Sequence, residues 1–418
     1  MEEYIEDLLK IYNSSIDSYN SKIMQTLNGK YTIIDKAMLA SYLYIKILTK
    51  LKIEEKISKE VLKNYLLKQI IYGETGNLSL EISDKSIEKT CKEVIEKLII
   101  DKFESKNKIT KKLKYNYNTI ESNQYTELIE FCENIAEYYI LEKILKTEAK
   151  EILQKKTARM KITNSKIDNE KAYILESISK KNFNKTEYAP ILDIALNLKD
   201  VYRYSSFTTV IPENVLFHQY TITIAGIIFG EYLNQEFNEN FNIELLMEKS
   251  LFHDLGEYKG NEIVAQVKYY NEDTIKMFKE IEAVDEKELK SKVGEEIYTL
   301  IITAKDEKEG YILDLLDKIV AIMKLWIEIR YMHNYTYIKA ISSIYQERFK
   351  RFLKLDKIDD IQNKEFLREF LRESYIYIKR SMIYQDEEIL KQYFTEKDIK
   401  EFKEEIKTIT EKPETFLS

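Results

Sequence analysis

Apolar side chains recur at helical spacing along most of this chain. Near residues 40 and 140 they return every three or four positions, which places them on one face of a helix. The first face contains Met38, Leu39, Leu43, Ile47, Leu48 and Leu51, and the second contains Ile135, Tyr138, Tyr139, Leu141 and Ile144. The pattern predicts amphipathic helices almost from end to end.

Glycine and proline are scarce, with 9 Gly and 3 Pro in 418 residues. Tight turns and β-hairpins depend on these residues, so their scarcity favours long helices joined by short loops. Apolar residues make up 44% of the chain and charged residues 33%, which is the balance of a globular protein with substantial cores. We therefore predict an all-α fold.

Two changes in composition divide the chain into three predicted parts. Residues 155–190 are more polar than their surroundings and end at Pro190, which indicates a hinge or domain junction. After about residue 345 the sequence is charged amphipathic helix. We predict a helical N-terminal domain over 1–185, a second helical domain over 186–345, and a helical C-terminal extension over 346–418 that packs on a core or a partner subunit.

An internal repeat is a further hypothesis. Residues 31–74 align with 214–257 at an offset of 183, and CENIAEYYILEKIL aligns with the segment around Asp317 at an offset of 184. In this alignment Asp35, Ile70 and Ile71 stand where the second copy has two histidines and an aspartate. The first copy would then be a scaffold that holds no metal. The alternative is a chance similarity between amphipathic helices of the same composition.

Charge and cysteine content favour a cytoplasmic protein with no nucleic-acid or membrane partner. Acidic and basic residues are mixed throughout and give a net charge of −7, so no general positive field attracts a polyanion. The N-terminus, MEEYIEDLLK, is unlike a signal peptide, and no run reaches the ~18 apolar residues of a membrane span. Cys91 and Cys132 have no metal-binding spacing and are expected to be small buried residues.

Histidine is rare, and all 3 histidines lie beyond residue 200. His253 is followed by Asp254 on a predicted helix, and Glu257 lies one turn further on the same face, where it can move a proton. His218 begins another apolar helix. Asp317 lies inside a third, where a buried carboxylate is costly unless a cation or a hydrogen-bond donor balances it.

These residues form a candidate metal-ligand set, namely His218, His253, Asp254 and Asp317. Imidazole and carboxylate ligands without a thiolate suit a divalent ion, and the ligand types alone allow Mn, Co, Fe, Zn or Mg. Asp314, three residues before Asp317, is the alternative for the last ligand.

Three segments carry a resemblance to a known family. They are RYSSFTTVIPENVLFH, FHDLGEYKGNEIVAQVKYYN and LLDKIVAIMKL. Each segment is similar to a motif of the HD-domain superfamily. The first resembles that family's Arg-aromatic pair followed by Glu-(Asn/Ser)-Val and a histidine. The second resembles its His-Asp-x-x-Glu followed by Val-Lys-Tyr, and the third its helix with the last aspartate. Within these metal-dependent phosphohydrolases, the chain most resembles the bacterial 5′-deoxynucleotidases (YfbR-like). The resemblance covers roughly residues 195–330.

The resemblance implies a role for each matching residue. The metal ligands would be His218, His253, Asp254 and Asp317. Glu257 would be the catalytic acid or base, and Arg203 would bind the substrate phosphate. It favours Asp317 over Asp314 as the last ligand. His333 matches no ligand position, and we expect it to be structural.

Four positions concern the substrate pocket. Tyr204 stands where the family usually has Trp, Glu262 replaces the usual Asp that holds the substrate, and Lys268 matches the lysine of Val-Lys-Tyr. Phe217 replaces the Glu that commonly precedes the first histidine. These departures leave the predicted metal site intact, but the changes at 204 and 262 leave the sugar preference open.

The predicted function is metal-dependent phosphohydrolysis of a nucleotide, with a nucleoside 5′-monophosphate as the preferred substrate class. The alternatives are another HD activity (a phosphodiesterase, an alarmone hydrolase or a dNTP triphosphohydrolase) or a nucleotide-binding sensor or scaffold with vestigial activity. The family resemblance also implies a homodimer.

Overall fold

The computed structural model describes residues 31–75, 123–145, 165–204, 211–259, 271–330 and 395–411, together with positions 153, 209 and 391. Regular secondary structure in these ranges is helical, apart from an isolated antiparallel bridge between Tyr202 and Asn214. The prediction of an all-α fold is confirmed. None of the described helices is long and apolar enough to cross a membrane.

The α-helices of the described ranges are α1 (Ile33–Leu51), α2 (Lys56–Thr75), α3 (Gln124–Leu145), α4 (Lys166–Ser179), α5 (Ala189–Asp200), α6 (Val215–Phe237), α7 (Ile243–Phe252), α8 (Glu272–Val293), α9 (Glu295–Ile302), α10 (Glu307–Arg330) and α11 (Glu396–Glu411). Two 3₁₀ turns cover Phe183–Lys185 and Leu255–Lys259.

Helix α6 lies at the centre of the fold. Every residue from Val215 to Gly230 is buried, as expected for a helix that is apolar around its whole circumference. Helices α1, α5, α7 and α10 pack around it. At Gly230 an added Cβ would lie 2.8 Å from Ile243 Cδ1, so glycine lets α6 and α7 approach closely. Two helices that carry predicted site residues are thereby held side by side.

The N-terminal helices pack directly on this centre. The Tyr42 hydroxyl of α1 lies 2.7 Å from Gln219 Oε1 and 3.0 Å from the carbonyl oxygen of Leu251. The Tyr220 hydroxyl donates to the Leu66 carbonyl of α2 at 3.2 Å. Buried side chains of α1, α2 and α3 belong to the same hydrophobic cluster as those of α5 to α10. The three predicted domain boundaries stay predictions.

The described part of the predicted junction is helical. Helix α4 begins after Ser165, whose hydroxyl accepts the Asp168 amide at 3.1 Å. Lys171 pairs with Asp168 at 3.2 Å, and both side chains are buried. Part of the polarity that suggested a junction therefore belongs to a helix cap and a buried ion pair. Cys132 is buried and free, as expected, whereas Cys91 lies outside the described residues.

The helix bounds are compatible with the internal repeat, which stays a hypothesis. An offset of 183 carries Ile33–Leu51 onto 216–234, inside Val215–Phe237. An offset of 184 carries Gln124–Leu145 onto 308–329, inside Glu307–Arg330. Asp35, which aligns with His218, is buried and accepts the Thr32 amide at 2.8 Å. This aspartate caps a helix in the described structure.

Asp35 leads to a prediction on stability. Burial raises the pKa of this carboxyl from 3.8 to about 6, although Thr32 and Lys199 act in the opposite direction. The folded protein thus holds the proton more tightly than the unfolded chain does. The contribution of protonated Asp35 to the free energy of unfolding is therefore fully present below pH 3.8, and it is lost as the pH rises through 6.

We expect Asp35→Asn to keep the helix cap and to remove the free-energy cost of ionising a buried carboxyl. It should raise the free energy of unfolding by about 3 kcal/mol at pH 8 and by about half as much at pH 5. Urea unfolding of both proteins at the two pH values measures the difference. A gap of equal size at both pH values would contradict the prediction.

Candidate metal centre

The first predicted ligand lies in the first turn of α6. Asn214 caps this helix, and its side chain accepts the Phe217 amide at 2.8 Å. His218 follows with its side chain completely buried. Phe217, which replaces the usual Glu of the family, is buried in the core and contributes no polar group to the site.

The second predicted ligand terminates α7, and here the sequence prediction needs a correction. A continuous helix through Glu257 was expected, but α7 ends at Phe252, His253 is its C-cap, and a 3₁₀ turn follows at Leu255–Lys259. The His253 ring nitrogen Nδ1 lies 2.8 Å from the Ser250 carbonyl, an acceptor that lies in the last turn of α7. Gly256 further disfavours helix by about 1 kcal/mol. The Glu257 amide instead donates to the Asp254 carbonyl at 3.0 Å.

The four predicted ligands converge, although they come from three separate segments. His218 Nε2 lies 3.1 Å from Asp317 Oδ1 and 3.8 Å from Asp254 Oδ2. His253 Nε2 lies 3.0 Å from Asp254 Oδ2. Donor atoms of His218, His253 and Asp317 all lie within 4.8 Å of one another, and Asp254 borders this group. Nitrogen and oxygen donors thus face a common point.

The orientation of His253 suits metal binding. A carbonyl oxygen can only accept, so the 2.8 Å contact with Ser250 requires the proton on Nδ1. His253 Nε2 lies 3.0 Å from Asp254 Oδ2, so either a proton or a metal ion must stand between the nitrogen and the carboxylate. Burial lowers the pKa of His253 but the charge of Asp254 raises it, so in the absence of an ion the ring is held protonated by the carboxylate. The donors present therefore fit a divalent ion, since imidazole nitrogen and carboxylate oxygen are common ligands of such ions.

Burial would raise the pKa of both aspartates, but neighbouring charges reverse this effect. For Asp254, interaction with His253 holds the pKa below its usual value. For Asp317, the Lys318 ammonium does the same. Both carboxylates are consequently ionised at neutral pH, the form in which a carboxylate binds a metal.

Asp314, the rival for the last ligand, points elsewhere. Its Oδ1 lies 3.2 Å from Lys305 Nζ and 3.3 Å from Lys318 Nζ. Lys318 also hydrogen-bonds Asp317 through Oδ2, which leaves Asp317 Oδ1 facing His218. Among the described residues, the three donors that lie within 4.8 Å of one another include Asp317 but neither Asp314 nor Asp254, although Asp254 Oδ2 lies 3.0 Å from His253 Nε2.

Arg203 lies against the predicted ligands. Its Nη1 donates to Asp254 Oδ2 at 3.4 Å, and Nη2 lies 3.9 Å from Asp317 Oδ1. The guanidinium stands 5.7 Å from the centre of the Tyr204 ring, within the range of a cation–π contact. Tyr204 has a φ of 59°, a left-handed conformation that is unusual for a bulky residue and occurs mainly where surrounding contacts enforce it.

Glu213 is a site residue that the sequence analysis quoted but gave no role. It is 1% exposed, and its Oε1 lies 3.3 Å from His218 Nδ1 and 3.6 Å from Arg203 Nε. A carboxylate beside Nδ1 favours the tautomer with a proton there, which directs the Nε2 lone pair of His218 to the centre. Its place in the Glu-Asn-Val segment was the available signal.

Glu257 lies beside the cluster on the 3₁₀ turn. Burial and the negative charge of Asp254 raise the pKa of its carboxyl to about 7, while Arg203 lowers it. The residue remains exposed to solvent, and screening by water weakens such effects. A nearby cation would lower the pKa further, because it favours the carboxylate. Glu262, Lys268 and His333 lie outside the described residues, so their predicted roles stay predictions.

Comparisons with known proteins concern the same part of the chain. Residues 191–374 match the family described as 5′-deoxynucleotidase YfbR-like. We refer to residues 191–374 as the YfbR-like domain because of this similarity. The match extends further than the stretch 195–330 whose segments carried the resemblance, and it confirms the resemblance itself.

Curated relatives are similar to part of the chain. A 5′-deoxynucleotidase of Vibrio parahaemolyticus is 28% identical over 132 residues, which is 30% of this chain and 68% of the relative. The 5′-deoxynucleotidase YfbR of an Escherichia coli O127:H6 strain is 27% identical over 110 residues, covering 26% of this chain and 55% of the relative. No solved structure matches the chain. The similarity to these relatives thus covers less than a third of the chain.

Proposed function

We propose that the YfbR-like domain is a metal-dependent phosphohydrolase that cleaves the phosphomonoester of a nucleoside 5′-monophosphate. The observation that carries the proposal is the meeting of two histidines and Asp317 within 4.8 Å of one another, with Asp254 and an arginine beside them. The family match and the names of the curated relatives support the substrate class. Neither other HD activities nor a sensor without turnover has comparable support.

The proposed metal ligands are His218, His253, Asp254 and Asp317. A divalent ion supplies Lewis acidity at such a site, because it lowers the pKa of coordinated water and withdraws charge from a phosphoryl oxygen. The chain's own contribution is to hold ionised oxygens and oriented imidazoles in place. Glu213 and the Ser250 carbonyl orient the two rings.

Arg203 is proposed to bind the phosphate. Its guanidinium is a planar donor that matches two phosphate oxygens at once, and it is fixed within 4 Å of two proposed ligand carboxylates. A phosphate beside the proposed ion would lie within its reach. Tyr204, stacked near the guanidinium, is proposed to form part of the sugar pocket, together with Glu262 and Lys268.

Glu257 is proposed to transfer the proton. A carboxyl whose pKa is raised towards 7 exchanges protons readily at neutral pH. It can accept the proton of the attacking water or donate one to the departing 5′-oxygen of the nucleoside. Cleavage then yields inorganic phosphate and a nucleoside.

A hydrolysis screen tests the proposed function. Purified full-length protein is incubated with each of Mn²⁺, Co²⁺, Fe²⁺, Zn²⁺ and Mg²⁺ and a panel of nucleoside mono-, di- and triphosphates and cyclic nucleotides. We expect inorganic phosphate from 5′-monophosphates. Release of pyrophosphate or tripolyphosphate, or opening of cyclic nucleotides alone, would assign another HD activity. Tight nucleotide binding without turnover under any metal would indicate a sensor.

The substitution Arg203→Lys tests the phosphate clamp. Lysine keeps the charge but not the planar fork, so we expect kcat/KM for a nucleoside monophosphate to fall by about tenfold to a hundredfold, largely through a higher KM. Steady-state kinetics measure this, with Lys308→Arg in the first turn of α10, where it binds the Asn240 carbonyl, as a control. Unchanged kinetics would exclude a bidentate role for Arg203.

We also propose a location and an oligomeric state. The enzyme acts in the cytoplasm, as its cysteine content and N-terminal sequence favour, and it forms a homodimer, as the family resemblance implies. Analytical ultracentrifugation of the full chain decides the second point.

A further inference from the structure

A buried ion pair lies on the helix that carries Asp317 but takes no part in the proposed site. Lys324 and Glu328 of α10 are completely buried and are 2.6 Å apart. A buried pair of this kind repays its loss of hydration only when further hydrogen bonds satisfy both groups. The partners of these two charges therefore indicate what the pair is for.

Both charges bind the backbone of a single loop residue. Lys324 Nζ donates to the Ile211 carbonyl, and the Ile211 amide donates to Glu328 Oε1 at 2.8 Å. The pair thus binds both polar groups of one peptide position. Such a contact fixes a loop in register and rotation, which a single hydrogen bond would not do.

The clamped loop leads directly to the proposed site. Two residues after Ile211, the Glu213 carbonyl accepts the Arg203 amide at 2.8 Å. The Val215 amide donates to the Val201 carbonyl at 2.9 Å, so this strand-like pairing joins the loop to the segment that holds Arg203. The Glu213 side chain in turn faces Arg203 and His218. Tyr204, with its φ of 59°, shows that the segment is held in a conformation it would not adopt alone.

We propose that Lys324 and Glu328 are positioning residues that set Arg203 and Glu213 relative to Asp317, by clamping Ile211 to the helix that carries the aspartate. The inference rests on the proposed function, because its consequence is the placement of the phosphate-binding arginine. Neither residue touches substrate or metal. Displacement of a positioned group by about 1 Å costs on the order of a hundredfold in rate, so the clamp has a measurable effect.

Two double variants isolate the clamp without leaving a buried charge unpaired. Lys324→Met/Glu328→Leu removes both contacts to Ile211, whereas Lys324→Met/Glu328→Gln keeps an acceptor for the Ile211 amide. The control is Lys63→Met/Glu231→Leu, which removes a partly buried ion pair of 2.9 Å between α2 and α6. Glu231 lies 13 residues after His218, which is about 20 Å along the helix.

The readouts separate positioning from folding. For Lys324→Met/Glu328→Leu we expect amide exchange at Ile211 to rise by about tenfold or more and kcat/KM to fall by about a hundredfold, with an increase in KM. Metal affinity should fall as well, because displacement of Glu213 loosens the orientation of His218. A variant that is merely partly unfolded would lose kcat at unchanged KM. Lys324→Met/Glu328→Gln should recover part of both effects, and the control should show neither.

Specific outcomes overturn the inference. Wild-type KM in Lys324→Met/Glu328→Leu would exclude a positioning role, and so would equal losses in both double variants with the Ile211 amide still protected in the glutamine variant. If wild-type protein releases no phosphate, the proposed function fails. The affinity for deoxyadenosine monophosphate and the Ile211 exchange rate then decide the clamp separately.

Discussion

Asp254→Ala should lose both the bound metal and phosphate release. Its Oδ2 lies 3.0 Å from His253 Nε2 and 3.8 Å from His218 Nε2, so its removal deletes one of the oxygen donors that face both imidazoles. It also removes an acceptor of Arg203. Metal catalysis contributes several kcal/mol, so we expect kcat/KM to fall by about a thousandfold or more.

Metal analysis of the purified variant and phosphate release are the two measurements. The matched control is Asp314→Asn, because this aspartate lies three residues from Asp317 on the same helix but binds Lys305 and Lys318. It should retain metal and most of the activity. A metal-free but active Asp254→Ala would refute the proposed mechanism, and loss of metal in Asp314→Asn alone would exchange the assignments of the two helix aspartates.

Glu257→Gln should separate metal binding from turnover. The substitution keeps the size of the side chain but removes its ability to accept or donate a proton at neutral pH. General acid–base catalysis contributes about 10²- to 10⁴-fold, so kcat should fall by that factor while KM changes little. Metal content should equal that of wild type, because Glu257 lies on the 3₁₀ turn beyond the proposed ligands.

The pH dependence provides a second check on Glu257. Wild-type kcat should change through a group whose pKa lies at or below about 7, and Glu257→Gln should lack this limb of the profile. Glu257→Asp keeps the carboxyl on a shorter side chain and should retain the limb at reduced kcat. Glu286→Gln on exposed α8 serves as the unaffected control. A glutamine variant with wild-type turnover would show that another group moves the proton.

For Glu257, helical periodicity in the sequence predicted the wrong local structure but the right neighbourhood. Its spacing from His253 predicted one helical face, yet α7 ends at Phe252 and a 3₁₀ turn carries Glu257. Periodicity does not reveal the His253 side chain binding the Ser250 carbonyl in the last turn of the helix. The residue still reaches the cluster, because the turn keeps it within the field of Asp254.

The contacts of Glu213 and of Ile211 join segments that are far apart in the chain, and the sequence pattern did not predict them. Glu213 was visible as part of a family segment, but its contact with His218 depends on an antiparallel pairing of two loops. Lys324 and Glu328 appear in the sequence as two more charges of a helix at i and i+4, a spacing common on exposed surfaces. Only the packing of α10 shows that both are buried and that a loop residue 113 positions away lies between them.

The sequence by itself determined that the chain is helical and which residue types can hold a divalent ion, because helical spacing and ligand chemistry are properties of the side chains alone. Tertiary structure decided that Asp317 rather than Asp314 faces the histidines, and that a buried ion pair holds the loop of Ile211. Such choices depend on distances between segments far apart in the chain, which are fixed only when the helices pack.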